Sequence, residues 1–324
     1  MCCMVCMALC PGSSGASDER HSGDHVMKRR QQGILTGMPF MTNLTSRTFI
    51  DDTGRKLYVA TPPTRIASLA PSVTEMLFAL GADEQVVAVT DFCDYPPGAG
   101  RKPKLGSTKP NIETLVALKA DLILAPRAFI DSTVIAKLDS LKIPTYILEA
   151  KTIEDILSHL HTIGRIVDRT PAATRLVAEM RNRIQAVKQR TALLSRPRVF
   201  YVLNSEPLMT VGPGSFIHQL LELAGGSNIG GITGQPYPRI SIEDVLKQNP
   251  DVLIFPAGPS EGIPEQEQRQ WQRWSTLNAV RDKRIYRIDS VLMDRPGPRI
   301  VDGLELLANY LHPSAWPPSS PAAQ

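Results

Sequence analysis

Apolar positions recur along this chain in two ways. Short unbroken apolar runs, the mark of strands buried on both faces, alternate with stretches whose apolar residues return every three or four positions, the mark of one-sided helices. Thr48 to Val59 reads as a hairpin turning at Asp51, Asp52 and Gly54. Arg65 to Leu69 reads as a buried strand broken at Pro71. Ser72 is then placed to cap a helix, with Glu75 at capping-box spacing and Gly81 closing it. Val86 to Val89, Leu122 to Ala125 and Thr145 to Leu148 read as further strands, with helices over Asn111 to Lys119 and Ser132 to Leu141. Strands alternating with helices predict a parallel sheet covered on both faces.

The second half repeats this phrase. A shift of 130 positions carries Glu113, Asp121 and Pro126 onto Glu243, Asp251 and Pro256, each with residue type unchanged. Each copy follows a capped helix and a tyrosine-proline step: Ser72 to Gly81 then Tyr95-Pro96, and Ser215 to Gly225 then Tyr237-Pro238. Two copies of one unit predict two lobes with a cleft between them. Between the copies, Leu176, Val177, Met180, Ile184 and Val187 recur at helical spacing, with Thr170 as a cap, Pro171 in the first turn and the end near Leu194. At 1.5 Å per residue such a helix spans about 36 Å, enough to cross from lobe to lobe. The boundaries that follow are a tail or misannotated start over 1–47, a first lobe with its edge hairpin over 48–168, and the spanning helix over 169–195. The second lobe covers 196–312 and a proline-rich disordered tail 313–324.

Composition narrows the class. The 324 residues suffice for two cores, since domains cluster at about 100 to 150 residues. A net charge of +4, spread among acidic residues, gives neither a nucleic-acid footprint nor a polybasic membrane patch, which leaves a small molecule as the partner, or none. Cys2, Cys3, Cys6 and Cys10 crowd the start and Cys93 stands alone, so the body holds no disulfide framework. Leu9 before Cys10 matches poorly the small residue that lipoprotein processing requires. Met27 to Arg30 has the charge of an export signal without the apolar core that follows one, so no convincing signal peptide is visible. His159 and His161 fall on different faces of one helix and His218 lies on another, which predicts no metal-ion site. Cys93 reads as a small buried hydrophobe. No nucleophile elbow or phosphate-cradling loop appears, and the reading is a non-enzymatic binder.

Arg65-Ile-Ala-Ser-Leu-Ala-Pro-Ser-Val-Thr-Glu75 and Asp91-Phe-Cys-Asp-Tyr-Pro-Pro97, together with the lobes and the spanning helix, resemble the helical-backbone (class III) substrate-binding proteins of ABC importers, most closely the vitamin B12-binding branch. The resemblance covers roughly Arg65 to Leu311. It implies an α/β fold of two Rossmann-like lobes with parallel sheets joined by one long spanning α-helix, and a ligand held in the cleft. A cobalamin-like corrinoid is the implied cargo, with a ferric siderophore, haem or another metal chelate as alternatives. A monomer that docks on an ABC permease dimer is implied, periplasmic or tethered to a membrane. Without a visible export signal, a cytoplasmic corrinoid- or tetrapyrrole-handling protein stays open. The family's docking glutamates match Glu113 and Glu243. Either glutamate would also suit the first helical turn after Asn111 or Ser241 with no partner at all.

Ligand contacts in such lobes come from loops at the carboxyl ends of strands. The expected set is Ser68, Pro71, Ser72, Phe92, Asp94, Tyr95, Ser107, Arg127, Tyr237 and Arg295. Tyr237 matches a ligand-stacking aromatic, whereas Ser107 and Pro126 stand where the resemblance would place tryptophans. Arg127, Lys109, Arg239 and Arg295 would give a basic rim suited to an anionic siderophore or haem propionates.

Overall fold

In a computed structural model, which describes residues 47–107, 109–258 and 262–316, each apolar run becomes a strand where its neighbours can bury it. The hairpin of β1 (Arg47–Ile50) and β2 (Lys56–Val59) is antiparallel and buries Phe49, Leu57 and Val59. The strands β3 (Ile66–Ser68), β4 (Val86–Val89), β5 (Leu122–Pro126) and β6 (Thr145–Leu148) form an all-parallel sheet in the order β4-β3-β5-β6. The second lobe repeats it with β7 (Arg198–Tyr201), β10 (Ser227–Asn228), β11 (Val252–Ala257) and β12 (Ile285–Asp289), in the order β10-β7-β11-β12. A short hairpin of β8 (Asn204–Ser205) and β9 (Leu208–Met209) follows β7.

The 130-residue repeat is visible as matched bonding. Asp121 accepts from the backbone N–H groups of Thr64 (2.8 Å) and Arg65 (2.9 Å), and the Arg65 side chain donates to the Leu118 carbonyl. In the second lobe Asp251 accepts from the backbone N–H of Arg198 (2.9 Å), whose side chain donates to the Gln248 carbonyl (2.8 Å). Each aspartate thereby ties the start of its lobe's third strand to the start of the first, satisfying donors at the strand mouth.

The helices are α1 (Pro71–Ala79), α2 (Pro97–Gly100), α3 (Ile112–Ala117), α4 (Ser132–Ser140), α5 (Ile153–Ile166) and α6 (Thr170–Thr191), then α7 (Phe216–Leu223), α8 (Ile242–Gln248), α9 (Glu265–Gln270), α10 (Asn278–Arg281), α11 (Ser290–Met293) and α12 (Ile300–Leu311). Two expected caps move. The residue before α1 is Ala70, with Pro71 fixing the first turn, so Ser72 lies inside the helix and no side chain caps it. Thr170 likewise is the first residue of α6 rather than its cap, and the helix stops at Thr191, three residues short of Leu194.

The lobes share a core. One apolar cluster runs from Leu77 of α1 through Ile156 and Leu160 of α5, Val177 and Met180 of α6, and Leu220 of α7 to Leu304 of α12. Separate clusters lie on the outer face of each lobe, around Ile123 in the first and Leu253 in the second. α6 packs on α5 of the first lobe and on α7 and α12 of the second, so the spanning helix is the common wall of both. Among the described residues no helix is long and apolar enough to cross a membrane. The expected tails lie outside the described residues, except that Arg47 opens β1 and Pro313–Ala315 form a short 3-10 turn, after which Trp316 lies under the Arg190 guanidinium.

Candidate functional site

Parallel strands in both lobes end at one edge of their sheets, and the loops that leave those ends form the two walls of the cleft. In the first wall, Ser68 is wholly buried, its hydroxyl donating to the Ala70 carbonyl and accepting from Thr74. It shapes the entry to α1, and its hydroxyl is engaged within the first lobe rather than open to solvent. Pro71 and Ser72 are buried as well, in the first turn of α1. Cys93 is buried, with its Sγ 3.2 Å from the hydroxyls of both Thr74 and Thr90, which agrees with the packing role read from sequence. Phe92 is half-buried, whereas Asp94, Tyr95, Ser107 and Arg127 are exposed. Ser107 shares a depression with Leu69, Thr90, Lys109 and Phe129. Arg127 donates to the Ile130 carbonyl (3.1 Å). Pro126 is buried at the end of β5.

In the second wall, Tyr237 is half-buried against the shared core. Burial, with the Asp294 charge added, raises its pKa, so the phenol stays protonated. Asp294 also accepts from the hydroxyl of the wholly buried Tyr201 (2.9 Å). Arg239 is exposed.

The walls meet in an ion-pair cluster that sequence reasoning caught only in part. Arg299, just before α12, makes a bidentate pair with Glu75 of α1 (Nε to Oε2 2.9 Å, Nη2 to Oε1 2.7 Å), and its guanidinium lies 3.9 Å from the centre of the Tyr95 ring. Arg295 donates to Asp94 at 2.8 Å and lies 3.6 Å from Glu75. The Glu75 and Arg295 side chains are 2% and 8% exposed, whereas that of Asp94 is 64% exposed. Burial alone would raise the Asp94 pKa and lower that of Arg299. Pairing with Arg295 and with Glu75 outweighs it, holding Asp94 below and Arg299 above their ordinary ranges. Between the two arginines, Gly297 brings the loop to van der Waals distance of Ser72: a Cβ there would lie 3.5 Å from the Ser72 carbonyl oxygen. Glu75 at capping-box spacing thus reaches 224 positions along the chain rather than back to its own helix end. Arg295 is consumed by carboxylates, so it does not stand as an open cation on the rim.

Glu113 and Glu243 occupy matching places, second in α3 and second in α8. The caps are Asn111, whose side chain accepts from the Thr114 N–H, and Ser241, which accepts from the Asp244 N–H. Both glutamates are exposed, and neither has an ion-pair partner among the described residues. These helices run back against their strands, so both amino ends lie at the cleft edge of the molecule. Among the described residues no three histidine, cysteine, aspartate or glutamate side chains gather to hold a metal ion. His159 is buried and pairs with Asp52 at 2.7 Å.

A family model described as periplasmic binding protein matches residues 66–292. The vitamin B12-binding protein of Vibrio cholerae is 31% identical over 270 residues, covering 83% of this chain and 96% of that one. The crystal structure of the periplasmic vitamin B12 binding protein BtuF of Vibrio cholerae superposes with a TM-score of 0.68 at 30% identity, over 79% of this chain and 99% of that one. A possible iron-binding (periplasmic solute-binding) protein from Staphylococcus epidermidis gives 0.70 at 29% identity, over 78% and 100%. With its two matched parallel sheets, its spanning helix and this agreement over most of its length, the chain belongs to the periplasmic binding protein family.

Proposed function

We propose that this protein is the substrate-binding component of an ABC importer, taking a cobalamin-like corrinoid into its cleft and presenting it to a permease dimer through Glu113 and Glu243. What supports the cargo is an exposed tyrosine of the first lobe, Tyr95, a half-buried one of the second, Tyr237, and an Arg295 charge that Asp94 and Glu75 already meet. Aromatic rings beside a guanidinium already met by carboxylates suit a large macrocycle edged by amides better than one edged by carboxylates. Full-length relatives named as vitamin B12-binding proteins support the same cargo. Phe92, Ser107 and Arg127 would complete the contacts. A periplasmic or membrane-tethered location, and action as a monomer, follow from this reading.

A second cargo, a ferric siderophore or haem, is favoured by one observation: Lys109, Arg127 and Arg239 remain exposed cations. Calorimetric titration of the purified protein with cyanocobalamin, haem and a ferric siderophore separates the two. The proposal expects tight binding of cyanocobalamin. Binding of haem or siderophore alone would keep the receptor and replace its cargo, and binding of none would overturn both readings.

A further inference from the structure

The Asp94–Arg295 pair is unequal. The guanidinium is 8% exposed and the carboxylate that covers it 64% exposed, so Asp94 lies on the solvent side of a cation that belongs to the opposite lobe. Glu75, 3.6 Å from the same guanidinium nitrogen, is 2% exposed and is held by both of its oxygens to Arg299, so no incoming group reaches it. Asp94 sits in the loop between the half-buried Phe92 and the exposed Tyr95.

We propose that Asp94 is a specificity-determining residue, a built-in carboxylate that occupies the anion-binding face of Arg295 and so excludes ligands edged by carboxylates. The inference rests on the reading of the cleft as the ligand site, but not on which chelate binds there. A ligand carboxylate reaching Arg295 would have to displace Asp94, exchanging one charge-assisted hydrogen bond for another with no net gain and leaving Asp94 to face an added negative charge. An amide or ester edge makes no claim on the guanidinium and leaves the pair intact. Removing the Asp94 charge takes away the exposed carboxylate that the guanidinium meets at 2.8 Å, and a carboxylate-edged ligand then gains a partner in its place.

The test compares haem, whose two propionates are ionised, with haem dimethyl ester, which has the same macrocycle and no carboxylates, binding to the wild-type protein, Asp94→Asn and Asp94→Ala. The expected result is a gain of about tenfold or more in affinity for haem and none for the ester in both variants. A haem affinity that fails to rise, or that rises together with that of the ester, overturns the inference, because a merely looser lobe contact would act on both. Cyanocobalamin in the same titrations reports separately on the cargo. If the wild-type protein prefers haem over cobalamin, the corrinoid reading fails while the haem-to-ester comparison still decides the role of Asp94.

Discussion

At the scale of single residues, burial decides which charges hold the molecule together. Glu75 is almost fully buried with two guanidiniums beside it, and removing one member of a buried ion pair leaves an uncompensated charge. Glu75→Gln should therefore cost about 3 to 5 kcal/mol, read as a lower urea midpoint. A change within experimental error would show that Arg299 finds water instead. Asp251 sets a pH dependence. Burial alone would raise its carboxyl, but hydrogen bonds from Arg198 and Asn278 bring it down from 3.8 to about 2. A carboxyl depressed in the folded state stabilises fully above its unfolded pKa and loses that contribution as pH falls through the folded value. The stability gap between wild type and Asp251→Asn should thus be constant above about pH 5 and shrink between pH 4 and 2. A gap that widens in acid would contradict the pairing. The repeat made Asp121 and Asp251 legible as equivalent in sequence, and Asn111 and Ser241 read correctly as caps. The partner of Glu75 was not legible, because nothing local links a helix residue to an arginine in the other lobe.

At the scale of elements, patterning located strands well and helix ends less well. Strands buried on both faces leave little choice of register, and β5 and β11 fall where their apolar runs stand. Helix starts were misplaced where proline and a hydroxyl residue competed, as at Pro71–Ser72 and Thr170–Pro171. The contact of α5 with α6 turns on Gly164: a Cβ there would lie 2.4 Å from the Ala173 Cβ, a contact that cannot exist without moving a helix. Gly164→Ala gains about 1 kcal/mol of helix propensity but incurs an overpacking cost of roughly 1 to 3 kcal/mol, so it should lower the melting temperature. Adding Ala173→Gly, which empties the space, should recover most of the loss. Failure of that rescue would place the strain elsewhere.

At the scale of the whole molecule, the repeat, the lobes and the spanning helix were readable because they are properties of order along the chain. The shared core of α1, α5, α6, α7 and α12 was not, since each helix shows only that it has an apolar face and not which lobe it covers. Two exposed, unmatched carboxylates at equivalent helix starts suit a partner that is itself twofold, each glutamate meeting an equivalent basic pocket. If so, reversing both charges, Glu113→Lys with Glu243→Lys, should abolish stimulation of permease ATPase activity while ligand binding persists. Intact stimulation would return these glutamates to the plain service of their helix ends. The central claim concerns the cleft itself, and its most direct test is calorimetric titration of wild type and Tyr237→Ala with cyanocobalamin. The account predicts one tight site per chain in the wild type and a loss of about tenfold to a hundredfold in the variant, as removal of a stacking aromatic from a binding centre costs. Equal affinities for the two proteins, or no binding to the wild type, would contradict it.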